Sequence, residues 1–299
     1  MQRLQVRRLI SAFAMSGALV VGLMTAATAA SDNPVDVGLQ TTALSNVELH
    51  QLATISKDQF GSFDPQCVSY KNCTFGATSA KKTVVLFGDS HIQMWLPALI
   101  PSLRTYKVLV LWRPSCPIAD LNPWNPFLKA VDPNCPIWRH QQIGLIKMIH
   151  PVAVIVAERT ARILQSANHP VTNAQWQKGI AATLAPLVHA HIRTIMIGDA
   201  PSFPFDPIAC LGRFVRNAQH CTLDRRSLSR QYEILSTGEK AGAAEVGASF
   251  IDPTPWLCTT TQCPAVLNNS IAYFDWSHLT VTETLALKSK LVAKILPLL

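Results

Sequence analysis

From Lys82 onward, short apolar runs alternate with segments of helical period. Lys82–Phe87 (KTVVLF), Tyr106–Trp112 (YKVLVLW), Val152–Ala157 (VAVIVA), Ile192–Ile197 (IRTIMI) and Ala248–Ile251 read as strands. Between and after them, His91–Leu103 (interrupted by Pro97 and Pro101), Gln141–His150, Trp176–His189, Ser227–Val246 and Val281–Leu296 read as helices. Strands that are apolar on both alternating positions, separated by helices, specify an α/β domain with a parallel sheet covered on both faces. Sheets of that kind bind ligands beyond the carboxyl ends of their strands. Residues 31–80 lack a clear period and read as a loop-rich lead-in to a domain spanning 81–299.

The first 30 residues have a different pattern. Arg3, Arg7 and Arg8 precede an apolar segment from Leu9 to about Met24, then small residues Ala27-Thr28-Ala29-Ala30. This is the order of a secretory signal, with cleavage fitting best after Ala29 or Ala30. An uncleaved N-terminal anchor is the other reading, since Leu9–Ala30 is long enough to span a bilayer. Both place the rest of the chain outside the cytoplasm, secreted or envelope-associated.

Composition agrees with a globular domain: 48% of residues are hydrophobic and 15% charged, the opposite of a disordered chain. Loss of residues 1–30 removes three Arg and no acid, so the formal charge falls from +8 to +5. The basic residues are scattered, with Lys81-Lys82 and Arg225-Arg226 the densest pairs, which argues against nucleic acid as a partner. Eight cysteines in an exported chain argue for disulfides rather than metal ligation. They fall into four local couples, Cys67/Cys73, Cys116/Cys135, Cys210/Cys221 and Cys258/Cys263, and that spacing predicts the pairing. No CxxC or Cys/His knot is present, and neither a metal nor a cofactor is expected.

Two motifs sit where such a fold puts chemistry. Gly88-Asp89-Ser90-His91 lies at a strand-to-helix turn. Glycine suits a tight turn, Asp89 suits a turn-ordering acceptor, and Ser90 at a helix start gains from unpaired N–H groups and the helix dipole. Such a serine is either a nucleophile or a helix N-cap. Asp275-Trp276-Ser277-His278 precedes the last helix. A serine hydroxyl needs a base, histidine is the usual one, and a carboxylate orients it. Asp275 and His278 supply both, although alone they also fit a loop cap and a surface histidine.

Together these motifs make the chain resemble the SGNH (GDSL-like) hydrolases, and more closely the extracytoplasmic SGNH domain joined to acyltransferase-3 proteins. The resemblance runs over about residues 55–299. It rests on CTFG (73–76), VVLFGDSHIQMWLPAL (84–99), Cys116-Pro117, Cys135…Trp138-Arg139, GDAP (198–201), CPAVL (263–267) and YFDWSHLT (273–280). It implies a flavodoxin-like three-layer α/β/α sandwich and O-acyl esterase or O-acyltransferase chemistry on cell-envelope glycans. It further implies Ser90 as nucleophile, His278 as general acid/base and Asp275 as its orienting partner. Two family features are missing. No glycine occurs between Gly88 and Gly144 to match the second oxyanion block, and Ala157-Glu158-Arg159-Thr160 stands where a G-x-N-D would be. Arg159 is a candidate oxyanion donor or anionic-substrate ligand, with an ordinary salt bridge the competing role. No membrane acyltransferase domain lies in these residues, so transfer of a cytoplasmic acyl group implies a separate membrane partner.

Other readings follow from the same residues. Asp89-x-His91 after a strand also opens binuclear metallophosphoesterases, but Asn168-His169 matches their further ligand motif poorly. Trp95, Trp112, Trp138 and Trp276 could flank a sugar or pack the core. A non-catalytic glycan-binding module that retains the fold is the alternative to an enzyme, favoured by the missing oxyanion blocks.

Overall fold

A computed structural model describes residues 33–63, 67, 72–125, 128–161, 163–166, 169–227 and 230–299. Residues 1–30, which the sequence pattern reads as a signal or an anchor, lie outside the described residues. No helix among the described residues is long and apolar enough to cross a membrane.

Six strands form the central sheet: β1 (Cys73–Gly76), β2 (Thr83–Gly88), β3 (Lys107–Trp112), β4 (Ala153–Ala157), β5 (Arg193–Ile197) and β6 (Ser249–Ile251), in the spatial order β1-β3-β2-β4-β5-β6. All neighbours are parallel except β1, which runs antiparallel to β3 along one edge. The five parallel strands therefore follow the flavodoxin-like doubly wound order, whose switch point lies beside β2. Strand periodicity divides the core in two. Val84 and Leu86 face one layer with Val108, Val110, Ile155 and Ile197, while Val85 and Phe87 face the other with Leu111, Val154, Val156 and Met196. Both faces are apolar, so both are covered, giving the three-layer α/β/α sandwich.

The first layer is covered by α3 (Ser90–Met94), α4 (Leu96–Ser102), α8 (Val281–Ala286) and α9 (Lys288–Ile295); the second by α5 (Asn134–Ile149), α6 (Asn173–His189) and α7 (Arg230–Glu245). In the lead-in, α1 (Pro34–Gln40) and α2 (Asn46–Ala53) precede β1. These helices differ from the loop-rich expectation for 31–80. At seven and eight residues they are too short to show a period, and they are specified by caps instead. Asn33 caps α1, and Ser45 with Glu48 forms a capping box on α2. The lead-in joins residues 32–299 as one compact unit. Gln51 exchanges two hydrogen bonds with the Ile271 backbone, and Asp58 accepts from Val281 and Thr282 N–H.

Other boundaries moved for local reasons. The helix expected from Gln141 begins at Asn134, where Asp132 accepts the Asn134 N–H and Cys135 is bridged to Cys116. The helix expected from Trp176 begins at Asn173 behind a Thr172–Gln175 capping box. The helix expected over 91–103 is two helices, because Pro97 occupies the first turn of α4 rather than the interior of one long helix. Disulfides join Cys67–Cys73, Cys116–Cys135, Cys210–Cys221 and Cys258–Cys263, the couples that the spacing sets apart. Four bridges fit an oxidising, extracytoplasmic compartment.

Candidate active site

The site is built at the carboxyl end of β2. Gly88 ends that strand, and its role is closer approach rather than unusual φ: a Cβ there would stand 2.0 Å from the Ala157 carbonyl oxygen of β4. The next residue, Asp89, is the N-cap of α3. Its Oδ1 accepts the His91 N–H (2.8 Å) and its Oδ2 the Arg159 N–H (3.0 Å), tying the β2 turn to the β4 turn. With Asp89 as the cap, Ser90 is the first residue of α3, half-buried, and its hydroxyl is not used as a cap.

The second half of the site is the loop 273–279. Asp275 Oδ1 accepts N–H bonds from Ser277 (2.7 Å) and His278 (2.8 Å), which folds the segment back on itself. Phe274 N–H donates to the His278 carbonyl (3.1 Å), and a Tyr273–Leu279 bridge closes the turn. Two distant elements hold the loop in place. Phe203 N–H, after β5, donates to the Trp276 carbonyl (2.7 Å), and Leu279 N–H meets Met94 Sδ of α3 (3.0 Å).

The two halves meet through the imidazole. His278 Nδ1 lies 2.8 Å from Asp275 Oδ2, and His278 Nε2 lies 2.8 Å from Ser90 Oγ. With the Nδ1 proton donated to the carboxylate, Nε2 is the acceptor of the serine hydroxyl. Burial alone would raise the Asp275 carboxyl, but the hydrogen bond and charge of His278 and two backbone N–H groups outweigh it and hold it at about 2. His278 is pushed below its ordinary 6.5, first by burial and then by the charge of His91, with Asp275 opposing. The ring is flanked by Phe274, nearly parallel at 5.3 Å, and by Phe60 from the lead-in at 5.3 Å.

Arg159 reaches the same rim. Its backbone serves Asp89, and its guanidinium lies over the Trp276 ring at 5.6 Å. Trp276 is the tryptophan at the site; Trp95 is buried in the core and Trp138 packs on Phe87.

The fold brings in residues to which the sequence pattern assigns no part in this site, His91 among them, which it offers only as a metal ligand. His91 is fully buried behind Ser90 and paired with Asp199, which follows β5. Glu239 of α7 accepts the Asp199 N–H, and burial pushes its carboxyl well up. Glu158, likewise buried and pushed up, accepts the Ala119 N–H. A signal was present for one of these: Gly198-Asp199 closes a parallel strand just as Gly88-Asp89 does. Nothing local marks Phe60. A cavity of about 570 Å³ lies at the carboxyl ends of β5 and β6, lined by Asp199, Glu239, Lys240, Asp252, Thr254 and Thr259 among others.

A flavodoxin-like sandwich with serine, imidazole and carboxylate converging at the end of its first parallel strand defines a class, the serine esterases and acyltransferases of α/β/α architecture. The chain belongs to the SGNH domain family, described as fused to AT3 (acyltransferase-3) domains, whose family model matches residues 57–292. It is an enzyme of the SGNH hydrolase type, an esterase or acyltransferase. Among solved structures, the periplasmic domain of a lipopolysaccharide acetyltransferase from Salmonella ser. Paratyphi A is similar at 16% identity and a TM-score of 0.57, covering 73% of this chain and 85% of that one. A carbohydrate acetylesterase from Sinorhizobium meliloti is similar at 15% identity and a TM-score of 0.48, covering 73% of this chain and 100% of that one. An aryl esterase from M. smegmatis is similar at 14% identity and a TM-score of 0.48, with the same coverages. No curated protein matches the sequence.

Proposed function

We propose that the protein is an extracytoplasmic O-acyl esterase or O-acyltransferase acting on acylated glycans of the cell envelope, through Ser90, His278 and Asp275. The observation that carries this reading is the continuous chain of two 2.8 Å contacts from Ser90 Oγ through the imidazole to Asp275. In the proposed reaction His278 Nε2 takes the hydroxyl proton as Ser90 Oγ attacks the acyl carbonyl, and Asp275 stabilises the imidazolium. The tetrahedral intermediate collapses to an acyl-serine as His278 returns the proton to the leaving sugar oxygen. Water, or a second sugar hydroxyl, then repeats the sequence in reverse and frees the serine. The developing oxyanion faces the start of α3, where the Ser90 amide is the candidate donor, since Asp89 already takes the His91 N–H. The Arg159 guanidinium is the candidate second donor, or the contact for an anionic group on the glycan.

The glycan class is supported by the lipopolysaccharide acetyltransferase periplasmic domain of like fold, and acyl chemistry by the family's fusion to AT3 domains. The four bridges support an exported protein, and a separate membrane acyltransferase would supply acyl groups if transfer is the reaction. Turnover of an activated acetyl ester by the purified protein, lost in Ser90→Ala, is the expected result. A wild-type protein that binds glycan but never acylates Ser90 sinks the enzyme reading in favour of a binding module. Mass spectrometry of envelope glycans with and without the protein then identifies the acyl group and acceptor.

A further inference from the structure

Behind the triad stands a second histidine–carboxylate pair that the proposed reaction does not use. His91 is 1% exposed, and its Nδ1 lies 2.5 Å from Asp199 Oδ1. Asp199 Oδ2 accepts both the N–H (2.8 Å) and the hydroxyl (3.0 Å) of Thr160, so the carboxylate is fixed on both oxygens. The His91 ring centre stands 4.6 Å from that of His278, at an interplanar angle of 51°. His91 Nε2 is buried and has no hydrogen-bond partner among the described residues. Resting on the triad reading above, we propose that His91 and Asp199 form a positioning pair for the catalytic imidazole: His91 packs against His278, sets its plane, and keeps the proton on itself so that His278 remains the acceptor.

The physical reason is proximity in a dry site. Two imidazoles whose centres are 4.6 Å apart repel each other when both are protonated, and burial leaves little water to screen the repulsion. The surroundings decide which ring takes the proton. Around His91 are Asp199 after β5, Asp89 at the start of α3, Arg159 after β4, and His278 with Asp275 behind it in the loop; Glu239 of α7 stands behind Asp199. Burial and Arg159 disfavour charge on His91, yet Asp199 and Asp89 outweigh them and its proton affinity is raised. His278 moves the other way, by burial and then by His91, against the pull of Asp275.

The test follows His278 directly, by imidazole NMR titration of the purified wild-type, His91→Gln and Asp199→Asn proteins. In parallel, the pH profile of kcat/KM is measured on an activated acetyl ester. Removing His91 is expected to raise the His278 midpoint by about one pH unit, a tenfold gain in proton affinity. The acid limb of the profile should move up with it, and the high-pH plateau should fall, because the imidazole loses the ring that sets its plane. Asp199→Asn is expected to act in the same direction, because a buried imidazole without its carboxylate loses its proton. It also decides the matter if His91→Gln fails to fold. Unchanged midpoints in the folded variants, with only a lower melting temperature, overturn the proposal and leave a packing role. Ester turnover that survives Ser90→Ala overturns the triad reading instead, and the NMR titration, which needs no turnover, still reports on His91.

Discussion

Ser90, His278 and Asp275 carry different parts of the proposed chemistry, so their substitutions should differ in size. Ser90→Ala should remove acyl-enzyme formation, a loss on the order of 10³-fold or more in kcat, with the melting temperature unchanged. His278→Ala should approach that loss, and Asp275→Asn should fall short of it, because the aspartate orients and stabilises a base that remains. Steady-state rates on one activated ester rank the three; an Asp275→Asn as damaging as Ser90→Ala contradicts the assigned roles. Glu283 makes a prediction about stability. It is fully buried, accepts from Asn268 Nδ2 (2.8 Å) and Ser270 Oγ (3.4 Å), and burial raises it from 4.5 to about 7. A carboxyl raised on folding binds its proton more tightly in the folded chain. Its contribution is therefore complete below about pH 4.5 and is lost as pH rises through about 7. Glu283→Gln should flatten that dependence, which is worth about 3 kcal/mol at most, in denaturation curves taken across the window.

At the scale of elements, caps and bridges set where helices begin and how loops are held. The Thr172–Gln175 capping box starts α6, whose Trp176, Ile180 and Leu184 fill one face of the sheet. Thr172→Ala should cost about 1 kcal/mol without touching activity, measured by denaturant unfolding. The Cys116–Cys135 bridge closes 19 residues between β3 and α5. Replacing both cysteines by serine should cost roughly 3 kcal/mol in the loop-entropy model. Periodicity located the sheet strands to within about one residue, except β1. Its four residues (Cys73–Gly76) carry too short a pattern, and the strand exists because β3 offers it an edge.

For the molecule as a whole, the lead-in is tied to distant parts of the domain by several hydrogen bonds. Leu44 N–H donates to Val215 O, Ala218 N–H to Thr42 O, and Gln51 and Asp58 hold the backbone around the last helices. Phe60 rests on the His278 ring. A chain beginning at residue 81 would expose these partners and lose β1 from the sheet edge. It should unfold at a lower temperature and less cooperatively than a chain beginning at residue 32; equal melting curves and equal ester turnover would show that the lead-in is dispensable.

What the sequence determined by itself is what short-range pattern can carry. Apolar runs separated by helical period dictate a parallel sheet with two covered faces. Serine after a strand and Asp-x-x-His before the last helix suggest the proposed chemistry, and cysteines 5 to 19 residues apart indicate their partners. The tertiary structure decided what meets across long separations. Ser90 and His278 are 188 positions apart and His91 and Asp199 are 108. His91 and Asp199 meet because strand order brings the carboxyl ends of β2 and β5 to one rim, and Ser90 and His278 meet because loop 273–279 is tied to Phe203 after β5 and to Met94. The need for glycine at position 88 likewise comes from a neighbouring strand, through the Ala157 carbonyl. Periodicity reports which face of an element is apolar; it does not report which distant element that face, or its end, will stand beside.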